Sequence, residues 1–288
     1  MKTGKKLAAL LLAAVLILGL AGCGAFETKM ARAWQKLDKL DSLRLDIEDD
    51  LELSVTEGEL RVPITAKLTG TVDLYLNPLQ AKADLVLAGP GKETRLSAYL
   101  QEEDGGVVNV YWNRNGGALW EKASLTASKP RLKPNGIKYI IDGAETFREV
   151  EQPGVTDGSR RFDGQIPGSF IQGYLALYAV ENRLADDFGI ELPKDLLASI
   201  NSVPTSLWIN ADGELDLIVL EPTAFLNGLL PRLVADFKAA SGLDQLPLRC
   251  TVENNRIIIQ LSSFDSLEML VIPEKVLSPW GDGAADWE

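Results

Sequence analysis

The sequence predicts an α+β fold: a strongly curved antiparallel β-sheet with helices packed on its apolar face. Long segments in the first half of the chain alternate between apolar and polar residues, which is typical of a sheet with one buried face. Short turns rich in Gly, Asn and Asp join those segments, so neighbours in sequence are expected to pair as hairpins. Helical spacing of apolar residues occurs at the start of the predicted domain and in its second half.

The predicted domain begins with an amphipathic helix over residues 28–40. Its apolar residues recur at helical spacing: Met30, Ala33, Trp34, Leu37 and Leu40. The period changes to two at residue 43, and the odd positions up to 55 are apolar except for Asp49. Residues 43–56 are therefore expected to form a strand with a bulge or bend at Asp49.

The next segment, residues 60–76, alternates in the same way over its whole length. A straight strand of that length would run ~56 Å, well beyond the usual ~17–20 Å. It is therefore expected to curve, with Pro63 and Gly70 as the natural places. Further strands of this meander are expected at 79–88, 94–102, 107–114 and 118–123.

The second half of the chain mixes helices with hairpins. Helices are expected at 143–151, 169–187, 193–201 and 222–240, and strands at 159–166, 206–209, 214–220, 247–253, 256–261 and 269–273. Asn254-Asn255 is expected to be the turn of the last hairpin. Because no linker or fixed-period repeat interrupts the pattern, residues 28–277 are expected to form a single domain. The acidic, Gly-rich tail, 278–288, is expected to lack fixed structure.

The start of the chain is typical of an export signal. Three lysines precede an apolar run over residues 7–18. A cleavage site with small residues, Leu20-Ala21-Gly22, follows directly before Cys23. An uncleaved membrane-spanning helix over residues 7–26 is the alternative, because this stretch carries no charge. Both interpretations place the rest of the chain outside the cytoplasm, since the lysines stay inside.

The stretch Leu20-Ala21-Gly22-Cys23 resembles the lipobox of bacterial lipoproteins. The resemblance implies cleavage between Gly22 and Cys23 and a diacylglycerol, with palmitate-type chains, on the Cys23 thiol. Residues 1–22 would be the signal peptide and 23–27 a short tether, whose four linker residues reach at most ~14 Å. The predicted location is the extracytoplasmic face of the cell membrane. The residue after Cys23 is Gly24 and not Asp. In a cell with two membranes, this resembles lipoproteins that are sorted onward to the outer membrane.

The composition argues against several classes of function. Loss of residues 1–22 removes three lysines and takes the net charge from −12 to −15, which disfavours nucleic acid as a partner. The chain has no histidine, and it lacks the G-x-S-x-G, P-loop and dinucleotide motifs. We therefore expect no enzyme and no cofactor, although 41 acidic residues leave a carboxylate-pair hydrolase open. Cys250 is expected to be a buried strand thiol, with a reactive thiol as the alternative.

Acidic clusters are present, but their patterns do not predict a metal site. The runs at 48–50 and 102–104 are typical of solvated faces and loop tips. The segment Asn210-Ala211-Asp212-Gly213 lacks the spacing and the distal Glu of a calcium loop, so a plain turn is expected there.

The segment from Ala33 to Leu43, followed by long meandering strands, resembles lipoproteins of the LolA/LprG type. Leu119-Trp120-Glu121-Lys122, the stretch 203–210 and Val271-Ile272-Pro273 extend the likeness over residues 28–277. The resemblance implies a half-barrel plugged by helices, with a cavity that holds lipids or the acyl chains of lipoproteins. The candidate cavity residues are Leu68, Val72, Leu74, Leu85, Leu96, Leu100 and Trp112. Ordinary core packing is the alternative explanation for each of them.

Two functions therefore remain as hypotheses. The first is a membrane-anchored carrier of a lipid, an acyl chain or a lipoprotein. The second is a scaffold or sensor lipoprotein that binds another envelope protein through exposed edges or acidic loops, for example 102–104, and has no lipid site.

Overall fold

The computed structural model describes residues 29–37, 39–76, 78–103, 107–117, 119–126, 147–151, 158–169, 171, 202–241 and 247–277. The predicted signal peptide, Cys23, the tether and the tail lie outside these residues, as do the predicted helix 193–201 and most of 169–187. The first six strands are β1 (Ser42–Glu57), β2 (Leu60–Leu76), β3 (Leu79–Gly89), β4 (Lys92–Glu103), β5 (Val107–Arg114) and β6 (Glu121–Thr126). The others are β7 (Arg148–Val150), β8 (Arg160–Ile166), β9 (Val203–Ile209), β10 (Leu215–Leu220) and β11 (Leu248–Ser262). The helices are α1 (Lys29–Leu37), α2 (Thr223–Ser241) and α3 (Glu274–Leu277).

The strands form one large, open antiparallel sheet. Its order is β6-β5-β4-β3-β2-β1-β11-β10-β9-β8-β7, so β6 and β7 are the two edges. Strands β1 to β6 form one meander and β7 to β11 a second, and the first and last strands of the chain join the two at the centre. The predicted hairpin meander and antiparallel sheet are confirmed.

The β1–β2 hairpin is the longest local pairing. The two strands pair from Ser42 opposite Tyr75 to Glu57 opposite Leu60. Gly58 lies in the two-residue turn with a φ of +60°, a conformation that glycine adopts without the steric penalty of a side chain. Because the alternation of β1 matches that of β2, their apolar residues share one face, with Leu45 opposite Val72.

Helices α1 and α2 pack against the second meander, on the side of its buried apolar residues. Helix α1 contacts β9 and β10, and its Ala33 and Leu37 belong to the same buried cluster as Leu45 of β1. Helix α2 contacts β11 and β9, and its Phe225 joins that cluster. The helical periodicity of the sequence therefore predicted two helices that bury their apolar side chains against the sheet.

Helix α2 also completes the edge of β11 that β10 leaves uncovered. Strand β10 pairs with β11 only from Leu217 to Leu220, opposite Gln260 to Ile257. Beyond that point the Asn227 amide donates to the Val252 carbonyl and accepts from the Val252 N–H, both at 2.8 Å. The Asn255 N–H donates to the Thr223 hydroxyl oxygen at 2.8 Å. Side chains of α2 thus take the place of a neighbouring strand, since buried backbone polar groups require partners.

The predicted turn at Asn254-Asn255 is wrong, because β11 continues through these residues. Of the bulge or bend predicted at Asp49 in β1, the bulge is absent, since Asp49 stays in register with Leu68 and Ile257. The register between β1 and β11 instead shifts between Glu52 and Leu53, where Glu253 is the extra residue.

Two further elements differ from the prediction. Residues 148–150, expected in a helix, form the edge strand β7 and pair with β8 from Arg148 opposite Asp163. Residues 269–273, expected as a last strand, form neither helix nor strand. Met269 and Val271 there are 83% and 75% exposed, so their apolar character does not reflect burial in the sheet.

Candidate functional site

The seven candidate cavity residues lie together on one face of strands β2 to β5. Val72 is opposite Ala83, Ala83 is opposite Ala98, and Ala98 is opposite Trp112, which defines one row across the face. The other candidates lie on neighbouring rows of the same face: Leu68, Leu74, Leu85, Leu96 and Leu100. All but the half-buried Leu68 are buried. The alternation in the sequence therefore grouped these residues correctly on one face.

Small side chains occupy the middle of this face. Ala83 and Ala98 lie between a row that contains Leu85 opposite Leu96 and a row that contains Ala81 opposite Leu100. An alanine rises less far above a sheet than a leucine does, so the face is lower along the alanine row. We call the seven candidate residues, together with Ala83 and Ala98, the apolar face.

Gly70 marks a close approach of two strands within the apolar face. It pairs with Leu85, and its φ is +153°. A Cβ atom at this position would lie 2.1 Å from the carbonyl oxygen of Asp84 and 2.8 Å from the Cα of Leu85. The glycine therefore allows β2 and β3 to approach in a way that a side chain would prevent.

Trp112 brings a polar group into the apolar face. Its side chain extends to the side of β5 opposite Tyr111 and Asn113, and the residue is 4% exposed. The indole Nε1 is buried and has no hydrogen-bond partner among the described residues. The sequence marked Trp112 only as an apolar wall residue, and nothing in the alternation indicated an unpaired donor.

The apolar face ends at a charged pair beside Trp112. Arg114 lies two residues further along β5 on the same face, opposite Leu96. Its guanidinium is 2.8 Å from Glu121, which pairs with Trp112 in register across the β5–β6 ladder. The Glu121 side chain is exposed and that of Arg114 is half-buried, so this pair borders the apolar face at its rim.

The opposite face is charged along β1 to β3, whereas on β5 it carries the buried Asn109, Tyr111 and Asn113. Arg44 of β1 donates to Asp73 of β2 through two nitrogens, at 2.6 and 2.9 Å. The hydrogen bond to Asp73 raises the pKa of the Arg44 guanidinium. One strand further, Lys82 lies 3.0 Å from Asp84, and that hydrogen bond raises the pKa of the Lys82 ammonium. From β1 to β3 the sheet therefore has one face for apolar contacts and one for charged, hydrated side chains.

A polar cluster that sequence reasoning missed lies near the start of α2. Asn255 is 3% exposed, and its side-chain amide donates to an Asp49 carboxylate oxygen at 2.5 Å and to the Asp50 carbonyl at 3.1 Å. Burial raises the pKa of the Asp49 carboxyl, while the hydrogen bond from Asn255 acts in the opposite direction. The signal was present in the sequence, because Asp49 occupies an apolar position of an otherwise regular alternation.

The acidic runs are engaged with neighbouring side chains. Lys67 of β2 pairs with Glu48 and lies 3.2 Å from Asp50. In the second run, Glu103 accepts a hydrogen bond from the Asn109 amide. Within the described ranges, no three His, Cys, Asp or Glu side chains are grouped so that they could hold a metal ion.

Three remaining features concern the predicted turn, the thiol and the membrane. The Asn210–Gly213 segment is a turn in which Gly213 donates its N–H to the Asn210 carbonyl at 3.0 Å. Cys250 is half-buried in β11, and burial raises the pKa of its thiol. Over the part of the chain that the structure describes, no helix has both the length and the hydropathy needed to cross a bilayer.

No family model matches the chain, and no curated protein matches it. A crystal structure of a DUF1329 family protein from Desulfovibrio piger is similar over 84% of this chain and 92% of that one, with 9% identity and a TM-score of 0.19. A likeness at that TM-score supports no inference about fold or function.

Proposed function

We propose that this chain is a lipoprotein, anchored to the extracytoplasmic face of the membrane through Cys23, that holds the acyl chains of a lipid or lipoprotein. The observation that carries the proposal is the apolar face of β2 to β5, which on β2 and β3 lies opposite a charged face. An acyl chain requires such a surface, because its transfer from water is driven by the burial of its hydrocarbon. Catalysis and a cofactor have no part in the proposal.

The dimensions of the apolar face suit such a ligand. Four neighbouring strands span ~14 Å between the outer two, and Leu68 to Leu74 covers ~20 Å along β2. One leaflet of a bilayer holds acyl chains over ~15 Å, half of its ~30 Å hydrocarbon core. The length of such a chain is close to the distance that the alanine row spans from β2 to β5.

The proposed architecture is the half-barrel of LolA/LprG-type lipoproteins. In this view the sheet curves around the apolar face, and helices cover its concave side. Gly70 supports a bend within β2, because it permits the close approach to β3, and the contacts of α1 and α2 support helices on the apolar side. The first described helix begins at Lys29, six residues after Cys23, so a lipid on Cys23 would hold the domain close to the bilayer.

One observation favours the alternative function, a scaffold or sensor that binds another envelope protein. Met269 and Val271 are large apolar residues in a segment that belongs to neither a helix nor a strand, and both are mostly exposed. Exposed apolar side chains grouped in one segment are typical of a surface for a partner. This reading requires no ligand on the apolar face.

The experiment that separates the two readings measures lipid in the purified protein. Residues 24–288 are expressed with an export signal that lacks the lipobox, and the folded protein is extracted and examined by mass spectrometry. Lipid at close to one equivalent per protein is the expected result. A lipid-free extract from a protein with a cooperative unfolding transition would reject the carrier and favour the scaffold.

A further inference from the structure

The Trp112 side chain combines deep burial with an unpaired hydrogen-bond donor. The residue is more than nine-tenths buried, and its Nε1 has no acceptor among the described residues. Indole is a donor only, and buried Trp N–H groups usually have a partner. A protein that leaves such a group unpaired gives up stability that an incoming acceptor can restore.

The described strand residues next to Trp112 on that face are apolar, apart from Arg114 and Glu121. Ala98 lies directly opposite on β4, and Val110 is the next residue of β5 on the same side. Both belong to the buried apolar cluster. Glu121 lies opposite on β6, but its carboxylate pairs with Arg114 at the exposed rim. Since no described residue pairs with this N–H, an acceptor can come with a molecule that enters the apolar face.

The chemistry of that acceptor is restricted by its surroundings. A hydrocarbon chain has no acceptor atom, and a carboxylate or phosphate oxygen would bring a charge into an apolar site at high desolvation cost. An ester carbonyl is neutral, accepts a hydrogen bond and is covalently joined to an acyl chain. It is therefore the acceptor best suited to a site made of leucine, alanine and one indole N–H.

We propose that the Trp112 Nε1–H binds the ester carbonyl of a diacyl glycerolipid, an assignment that rests on the proposed carrier function and specifies its ligand. The ester then lies at the β5 end of the apolar face, and its acyl chain follows the row of Ala98 and Ala83 towards Val72. The head group faces the rim, where Glu121 is exposed and Arg114 is half-buried.

The test compares two lipids that differ only in the carbonyl. A short-chain diacyl phosphatidylglycerol and its dialkyl ether analogue are titrated into the chain from residue 24 onward, which retains every described residue. The wild type is expected to bind the ester lipid about tenfold more tightly than the ether lipid, as for one buried hydrogen bond. In Trp112→Phe the two lipids are expected to bind equally.

The matched control is Trp208→Phe, which makes the same chemical change elsewhere in the sheet. Trp208 lies on β9 on the side opposite the buried Leu207 and Ile209, and its ring stacks with Arg161 at 5.0 Å. This variant is expected to keep the preference for the ester lipid. An ester preference that survives in Trp112→Phe would overturn the assignment.

A second readout does not depend on the folding of any variant. In wild-type protein labelled with ¹⁵N-tryptophan, an indole N–H resonance is expected to move downfield with the ester lipid and not with the ether lipid. Equal binding of both lipids, without such a shift, would reject the role of Trp112 and leave the carrier function standing. Binding of neither lipid by folded protein would reject both.

Discussion

Gly70→Ala is expected to lower the free energy of unfolding by about 3 kcal/mol, since overpacking and backbone strain each cost ~1–3 kcal/mol. The new methyl group would lie 2.1 Å from the Asp84 carbonyl oxygen and 2.9 Å from the Leu85 side chain, closer than real Cβ atoms approach other atoms. Backbone atoms of β3 would have to move, and the β2–β3 ladder carries the central part of the apolar face. Urea denaturation followed by circular dichroism measures the change.

Gly89→Ala is the matched control for this prediction. Gly89 ends β3, and a Cβ atom added there would meet no atom within 4 Å. The control is expected to change the free energy of unfolding by less than ~0.5 kcal/mol, as surface substitutions usually do. Similar effects of the two substitutions would show that the close approach of β2 and β3 does not exclude a side chain at position 70.

Cys23→Ser is expected to abolish attachment of the lipid and to release the protein from the membrane after any cleavage. In the lipobox that this sequence resembles, the cysteine sulfur carries the diacylglycerol. A serine hydroxyl does not replace it. One acyl chain alone gives only weak, reversible membrane binding, so loss of the diacyl anchor should have a large effect on partitioning. Labelling of cells with a palmitate analogue, followed by fractionation, measures both changes.

The second cysteine provides the control for the anchor. Cys250 lies in β11, opposite Val55, far along the chain from the export signal. Cys250→Ser is expected to keep both the label and the membrane location. Normal labelling and processing of Cys23→Ser would contradict the lipoprotein assignment and favour an uncleaved membrane-spanning segment.

The first meander could be predicted closely because its signals are local. Strands β2 and β5 have the bounds that the alternation predicted, since short turns fix the register of consecutive strands. The pairing of β1 with β11 could not be predicted in the same way. It joins residues about 200 positions apart, and nothing local in either strand specifies that partner.

The errors in the second half have tertiary causes. Asn254-Asn255 has the composition of a turn, yet β11 continues because the Asn255 amide and N–H find partners on β1 and α2. The stretch 269–273 has the composition of a strand, but its apolar residues are exposed and no ladder includes them. At these two places, long-range contacts therefore determine the secondary structure and override the local turn and strand propensities.

The common face of the candidate residues was predictable, but their polar contacts were not. Alternation alone placed Val72, Leu85 and Trp112 on a common face, which the ladders confirm. The unpaired indole nitrogen and the buried amide of Asn255 depend on which neighbours lie within hydrogen-bond distance. A sequence without its three-dimensional contacts does not contain that information.

The central claim is that the apolar face, and not the charged face, holds acyl chains. A photoreactive benzoylphenylalanine at Leu68 or at Thr69 tests it directly, because these neighbours on β2 extend to opposite faces and both are partly exposed. Each purified protein, from residue 24 onward, is irradiated with vesicles of a radiolabelled diacyl phospholipid. Strong labelling from position 68 and only background from position 69 is the expected result. Equal labelling from both positions, or labelling from position 69 alone, would contradict the claim.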